Sequence, residues 1–466
     1  MTLNDLNDKH IHFIGVGGIG MSGIAQLLAQ RGYRISGSDL SLNENTQRLQ
    51  KAGVHIVLGH DPAALEGKDI VVASTDIKEN NAELKEARRR GLLILHRSEM
   101  LALLVEEYQG ITISGTHGKT TTTALMGWVL EKAGLDPTII NGGVMNGWES
   151  NVKVGQGKWC VVEADESDGS FLKLPRKIAI VTNINLEHMD YYGDSNRLYD
   201  AFETFTTQLD SGGVAVLGID HPQVYILWQR IKSKQRCLTY GLHPEAEVRA
   251  ENIQITPKGA IFDLVTQKHH TKIFLPLYGQ HNVLNALGVA ATALDCGLEV
   301  EVLKEAFETF EGVQRRFTRV GDWQGVTFID DYAHHPVEIR ATLAAAKSAT
   351  KGRVIAVLEP HRYSRLTSHF QDFATCCEEA NITIVLPVYA AREVSQEDVN
   401  HADLVKVMKG EVYCCDKSEE LPQLIQNLAQ AGDMVICLGA GSISSLARAL
   451  PIQLNKPIHE QVLTGK

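Results

Sequence analysis

Short apolar runs separated by stretches of helical spacing fill the chain from end to end. The first hundred residues hold runs at 10–16, 33–38, 54–58, 70–73 and 92–95, with apolar residues at helical intervals over 21–30 and 81–90. Strands alternating with helices predict a parallel, doubly wound sheet. The pattern restarts near Tyr108 with runs at 111–114, 159–162, 178–182 and 214–217 and a helix over 121–133. Residues 236–276 alternate in a way that predicts antiparallel strands, and a long helix follows over 282–294. A third set begins near Gln314, with strands at 327–329, 353–358, 382–386 and 434–438. Three α/β units result, 1–107, 108–313 and 314–466, which suits 466 residues at about 100–200 per domain.

Charge and composition narrow the partners. The formal net charge is −11, so bulk nucleic-acid or anionic-membrane binding is disfavoured, while small anion sites built from backbone amides stay open. No apolar run approaches the ~20 residues of a membrane span. The start carries Asp5 and Asp8 and lacks a secretory pattern. The eight cysteines include the adjacent pairs Cys376-Cys377 and Cys414-Cys415 and show no C-x-x-C spacing. They read as reduced thiols of a cytoplasmic protein. The run Arg88-Arg89-Arg90 reads as a solvated helix end rather than a binding patch.

Chemistry concentrates at strand ends. Gly15-Val16-Gly17-Gly18-Ile19-Gly20 sits between a strand and a helix, where glycines permit a tight turn and helix amides face a diphosphate. Asp39, closing the second strand, stands where an acidic group meets a ribose. That pattern suits a nicotinamide or flavin site as well as a nucleotide-sugar site. A second loop, Gly115-Thr116-His117-Gly118-Lys119-Thr120-Thr121, is a shortened phosphate cradle: Lys119 would reach the β/γ-phosphates and Thr120 a Mg²⁺. Four carboxylates fall within Glu163-Ala164-Asp165-Glu166-Ser167-Asp168, which is costly unless cations share them. The next strand end carries Glu187-His188, and neighbouring strand ends of a parallel sheet converge on one crevice. His281, Asn282 and Asn285 open a later helix, and the third unit offers Asp330-Asp331-Tyr332-Ala333-His334-His335 and Glu359-Pro360-His361-Arg362-Tyr363-Ser364-Arg365. Two rival readings stay open on these residues alone: a nicotinamide oxidoreductase, and a phosphate-loop ATPase that regulates or binds without making a product.

Taken in order, GVGGIGMSGIA, SGTHGKTTTT, EADESDGSFL, TNINLEHMD, GQHNVLNALG, RRF, DDYAHHP and EPHRYSR resemble the bacterial Mur ligases over about the whole chain. The resemblance implies an N-terminal Rossmann-like domain (1–107) for a UDP-sugar, a central ATP-binding domain with a mixed sheet (108–313) and a C-terminal Rossmann-like domain (314–466) for an amino acid. It implies ATP-dependent amide synthesis through an acyl phosphate and a tetrahedral intermediate, with ATP and Mg²⁺ required, and with L-alanine joined to the lactyl carboxylate of UDP-N-acetylmuramate. On that analogy Gly15, Gly17, Gly18, Gly20, Ser38, Asp39, His60, Ser74 and Arg97 hold the UDP-sugar. Gly115, Thr116, His117, Gly118, Lys119, Thr120, Thr121, His281, Asn282, Asn285 and Arg316 hold ATP. Thr120, Glu163 and His188 hold metal, Arg362 and Arg365 orient the amino acid, and Lys119, Glu163, His188, His334 and Asp331 serve catalysis. Several sister ligases carry a carbamylated lysine in the helix after the metal histidine; here Glu203, fifteen residues after His188, is expected to take its place.

Overall fold

A computed structural model describes residues 1–391, 393 and 399–455. Its first sheet contains β1 (His10–Ile14), β2 (Arg34–Asp39), β3 (His55–Leu58), β4 (Ile70–Ala73) and β5 (Leu93–His96), in the order β3-β2-β1-β4-β5. All its pairings are parallel. The order reverses between β1 and β4, and the crevice outside such a switch point is where doubly wound sheets bind ligands. The helix Ile19–Gln30 is buried along Met21–Leu28, because it covers the first sheet and also packs on the second. A side chain at Gly23 would lie 2.9 Å from Asn151 and Val152, and Asn151 Nδ2 donates to the Ile19 carbonyl at 3.0 Å.

The second sheet is built from β6 (Gln109–Ser114), β7 (Thr138–Met145), β8 (Ser150–Lys153), β9 (Trp159–Glu163), β10 (Ile178–Val181), β11 (Val214–Gly218), β12 (Cys237–Gly241), β13 (Val248–Thr256), β14 (Gly259–Val265) and β15 (His270–Leu275). Its order is β15-β14-β13-β12-β11-β10-β6-β9-β7-β8. Strands β6, β9, β10 and β11 pair in parallel, and β8 runs antiparallel to β7. The antiparallel expectation for 236–276 fails at its start, since β12 pairs in parallel with both β11 and β13. Alternating polarity there reports one covered face, not strand direction.

The third sheet comprises β16 (Thr318–Trp323), β17 (Val326–Asp331), β18 (Val354–Leu358), β19 (Ile382–Val385), β20 (Glu411–Cys414) and β21 (Met434–Leu438), ordered β16-β17-β21-β18-β19-β20. Its strands are parallel except β16, and apolar cores lie on both faces, around Leu343 and Phe373 on one and Phe328 and Ile443 on the other. By contacts the chain forms two compact units: 1–251 with 263–273 and 284–312, and 252–262 with 274–283 and 313 onward. Strands β1–β12 belong to the first and the third sheet to the second.

One buried cation stands out in the first unit. Arg176 is 2% exposed and binds carbonyls instead of a carboxylate: Nε donates to Phe205 O at 2.9 Å, and Nη1 to Phe171 O at 3.1 Å and Leu174 O at 2.6 Å. Its guanidinium lies 4.7 Å from the centre of the Phe205 ring. Burial pulls its pKa down to about 10. By contrast, the basic run at 88–90 is a solvated helix end, with Arg88 on Glu79 and both Arg89 and Arg90 on Glu86. All eight cysteines are free. Among the described residues no helix is long and apolar enough to cross a membrane.

Candidate functional site

The first glycine loop is shaped by its neighbours. Gly15 has φ +76°, and the amides of Gly15 and Val16 donate to the Ser38 carbonyl at 2.8 and 3.0 Å, which ties the loop to the end of β2. Asp39 Oδ2 accepts the Gly17 amide at 2.8 Å and its Oδ1 the Ser41 amide at 3.2 Å, so this carboxylate holds the turn. A side chain at Gly20 would meet Arg97 Nη1 at 2.7 Å, which places that guanidinium against the start of the helix Ile19–Gln30. Ser74 lies just beyond β4, half-buried. Ser38 and His60 meet each other, with the Ser38 hydroxyl 3.1 Å from His60 Nδ1.

The second loop joins β6 to the helix Lys119–Lys132 through Gly115 at φ +130° and Gly118 at φ +87°. Any side chain at Gly115 would run into Thr182 and Asn183, and one at Gly118 would meet Asn285 Oδ1 at 2.5 Å. The end of β10 clamps the loop. Asn183 Oδ1 accepts the His117 amide at 2.9 Å while its Nδ2 donates to the His117 carbonyl at 2.9 Å, and the Asn185 amide donates to Thr116 Oγ1 at 2.8 Å. Thr121 is buried in the helix's first turn.

Lys119 folds over this loop, donating to Gly115 O at 2.7 Å and Thr116 O at 3.2 Å. Its ammonium also lies 2.9 Å from Glu166 Oε2. Burial works against the charge, but Glu166, Asp165 and Glu163 outweigh it and hold the Lys119 pKa above the usual lysine range. Burial likewise opposes the charge of Asp165, and Lys119 together with the Ser167 amide keeps its pKa below the ordinary value. Thr120 Oγ1 donates to Glu163 Oε1 at 3.2 Å, and Glu163 Oε2 accepts the Gly142 amide at 2.7 Å. His188, in the left-handed region at φ +59°, brings Nε2 to 3.8 Å from Glu166 Oε1 and 3.8 Å from Glu187 Oε2. The hydroxyl and carboxylate of Thr120 and Glu163 are hard oxygen donors that suit Mg²⁺, with the His188 imidazole beside the same carboxylate cluster.

Glu203 makes its ion pair with another helix. Its carboxylate lies 3.8 Å from Arg230, and no hydrogen bond or ion pair joins it to Glu163 or His188 among the described residues. A glutamate is shorter than a carbamylated lysine, and the guanidinium on the helix Pro222–Ile231 is the nearer opposite charge.

In the second unit, Asp331 ends β17 and is held by the amides of Phe317 at 2.7 Å and Ala333 at 2.8 Å. Burial pushes its pKa up to about 6, with the Arg316 charge pulling the other way. The guanidiniums of Arg315 and Arg316 lie 4.6 and 5.4 Å from the centre of the Tyr332 ring. His334 Nδ1 is 2.9 Å from the Tyr332 carbonyl; the ring donates there, which leaves Nε2 as an acceptor. Burial lowers the His334 pKa, and burial with the nearby His334, Arg365 and Arg362 lowers that of His361 to about 3. Arg365 Nη1 lies 3.2 Å from His361 Nδ1, and Arg362 is exposed at the start of the helix Tyr363–Ser368. Two neutral imidazoles beside two guanidiniums form a group able to take a carboxylate and accept a proton from an amine. His281 is exposed and Asn282 buried at the start of the helix Gln280–Asp295, with Asn282 Nδ2 donating to Tyr278 O at 2.8 Å.

The Asp331 carboxyl gives a signed prediction. Its folded pKa of about 6 exceeds the ordinary carboxyl value of 3.8, so the folded state binds the proton more tightly and stability falls as pH rises between those values. Asp331→Asn removes this titrating carboxyl, so wild type minus variant should show a decline in unfolding free energy from about pH 4 to 6, measured in urea at each pH. A flat or rising difference refutes it.

Four groups at this site carry no distinguishing signal of their own in the sequence. Glu166 was one of four clustered carboxylates with nothing to single it out. Asn183 and Asn185 act on loop backbone, a role that leaves no charge pattern, and Gly142 matters only because it lies beside Glu163. Each becomes visible once strand ends are placed side by side.

Residues 10–109 match the family model described as "Mur ligase family, catalytic domain", 113–293 the "Mur ligase middle domain", and 315–441 the "Mur ligase, glutamate ligase domain". The UDP-N-acetylmuramate–L-alanine ligase of Rhodospirillum rubrum is 47% identical over 95% of this chain and 94% of its own. The enzyme of the same name from Paramagnetospirillum magneticum is 47% identical over 97% and 98%. The crystal structure of the UDP-N-acetylmuramate–alanine ligase from Thermotoga maritima superposes with a TM-score of 0.82 at 28% identity, covering 98% of this chain and 100% of that one. A murein peptide ligase from Psychrobacter arcticus shares the fold, with a TM-score of 0.71 at 23% identity.

Proposed function

Because this chain belongs to the Mur ligase family, we propose that it joins L-alanine to the lactyl carboxylate of UDP-N-acetylmuramate at the expense of ATP, an early step in building peptidoglycan precursors in the cytoplasm. The observation that carries this reading is the match, over nearly the whole length of both chains, to alanine-adding ligases. The three-domain α/β fold accords with it. On this reading residues 1–107, 108–313 and 314–466 serve the UDP-sugar, ATP and the amino acid in turn.

A carboxylate is a poor acyl donor, so its oxygen first attacks the γ-phosphorus of ATP, the bond to ADP breaks, and an acyl phosphate forms. The alanine amine then attacks the carbonyl carbon, and the tetrahedral intermediate expels phosphate as the amide forms. Two anions must approach in the first step, and a fixed positive charge offsets their repulsion. Lys119 supplies it: raised pKa and carbonyl anchoring keep the ammonium charged and placed. Thr120, Glu163 and His188 are assigned to Mg²⁺, which when bound neutralises phosphate charge. His281, Asn282, Asn285 and Arg316 are assigned to the nucleotide. Arg362 and Arg365 orient the alanine carboxylate, and neutral His334, whose Nδ1 meets the Tyr332 carbonyl, accepts a proton from the amine on Nε2. Asp331 holds the turn that carries Tyr332 and His334.

Phosphate release should require ATP, UDP-N-acetylmuramate and an amino acid together. In a mixture of L-alanine, serine, glycine and the murein tripeptide, mass detection should find the alanyl product. Release without the muramate nucleotide, or product carrying the tripeptide, overturns the assignment.

A further inference from the structure

One edge of the third sheet carries a cluster of unlike donors that the reaction described above does not use. Strand β20 is the edge strand and pairs with β19. Strand β18, which leads to His361, lies two strands in, roughly 10 Å away at ordinary strand spacing. Past the end of β20 the side chains still alternate. Cys415 turns into the core, 2% exposed, with its amide on the Val385 carbonyl at 3.0 Å and its thiol donating to Lys417 O at 3.2 Å. Cys414 therefore faces outward, and it is the exposed member of the eight cysteines. Asp416, two residues on, returns to the same side: its carboxylate is 72% exposed, and Oδ1 accepts from Cys414 Sγ at 3.3 Å.

A third donor comes from a different element. His401 opens the helix His401–Val407, whose buried Leu404 packs into the core of the sheet. Asn400 caps that helix, its side chain accepting the Asp403 amide at 3.0 Å, so the cap does not use the His401 imidazole. That ring reaches across to the strand end instead, with Nε2 2.9 Å from the same Asp416 oxygen. An imidazole nitrogen, a sulfur and a carboxylate oxygen, one from each residue, all lie within 4.8 Å of one another.

Four-coordinate zinc holds its donors at about 2.0–2.3 Å and so sets them about 3.4–3.6 Å from each other. Small side-chain rotations suffice to reach that spacing here, since the two oxygen separations need open by only about half an ångström or less. The donor set also selects the ion. Sulfur and imidazole favour Zn²⁺ and its neighbours, whereas Mg²⁺ takes oxygen ligands, as Thr120 and Glu163 offer. As the sulfur–metal bond forms, the Cys414 thiol gives its proton to solvent, and thiolate with carboxylate balances the divalent charge. Water takes the fourth position.

We propose that His401, Cys414 and Asp416 form a binding site for one divalent cation of the zinc class, which fastens the start of the helix His401–Val407 to the end of the edge strand β20. An edge strand is held by hydrogen bonds on one side alone, and the ion supplies a tether on its free side.

The test uses tag-free full-length protein stripped of metal, reduced with a phosphine and kept in excess Mg²⁺ so that oxygen-donor sites stay filled. Added Co²⁺ should give a near-ultraviolet thiolate-to-cobalt charge-transfer band and the strong visible bands of four-coordinate cobalt, and Zn²⁺ should bleach both by displacement. Cys414→Ser should abolish the charge-transfer band. His401→Ala and Asp416→Asn should each weaken cobalt binding by about ten-fold or more. No such band in the wild type, its persistence in Cys414→Ser, or unchanged affinity in either of the other variants overturns the proposal. Alkylation of the wild type by iodoacetamide, mapped by peptide mass, needs no variant: Zn²⁺ should slow labelling of Cys414 about ten-fold, and Mg²⁺ should leave it unchanged. Equal labelling with and without Zn²⁺ also overturns it.

Discussion

Lys119→Ala should lower kcat by about 10²–10³-fold, the loss of one transition-state donor worth about 2.7–4 kcal/mol. The ammonium is anchored by two loop carbonyls and Glu166, so its position is set before substrate arrives and little reorganisation is needed during phosphoryl transfer. Its raised pKa means that no part of the neutral pH range discharges it. The fold should survive, because Lys119 lies in the loop's first helical turn and supplies no apolar core. Truncation does leave Glu166 without its cation in a buried place, so the melting temperature should drop modestly and circular dichroism should stay unchanged. Phosphate release under saturating substrates is the measurement. Turnover near that of the wild type would show that this loop does not hold the transferring phosphate.

The second large effect is on stability. Arg176→Met should cost about 3–5 kcal/mol, as expected when a buried charged donor is removed and its acceptors are stranded. Methionine matches much of the aliphatic stem but leaves the carbonyls of Phe171, Leu174 and Phe205 without the donor that now joins them. Those carbonyls come from the segment before β10 and from the end of the helix Ser195–Thr207, so the guanidinium ties two distant stretches of chain together. A fall in the urea midpoint with an unchanged slope would report this loss cleanly. A variant within about 0.5 kcal/mol of wild type would mean that water replaces the guanidinium at little cost.

The sequence disclosed the parallel cores well, since β1, β4, β10 and β21 are short apolar runs buried on both faces. Strands β7, β8, β16 and β20 were not legible. β7 contains Asn141-Gly142-Gly143, its pairing with β8 shifts register, and β16 is a bulged antiparallel edge. Of the candidate site, the two glycine loops, Glu163 and His188 were readable from type and spacing. The pairing of Lys119 with Glu166 was not, because distance between strand ends is set by sheet order rather than by sequence separation. Nor was the pairing of Glu203 with Arg230 legible, since the spacing that singled Glu203 out says nothing of the neighbouring helix.

The helix after the first glycine loop is sandwiched, with Gly23 pressed on Asn151 and Val152 and its first carbonyl bound by Asn151. A helix apolar on two sides has no solvent-facing surface to present if one neighbour is taken away. Residues 1–107 therefore do not form a portable module. Expressed alone they would expose the face that β7 and β8 now cover, and such a fragment should aggregate or stay partly folded. Exchanging this segment between related ligases would fail for the same reason unless β7 and β8 travel with it. Any exchange that keeps the fold must carry the helix Ile19–Gln30 and strands β7 and β8 together.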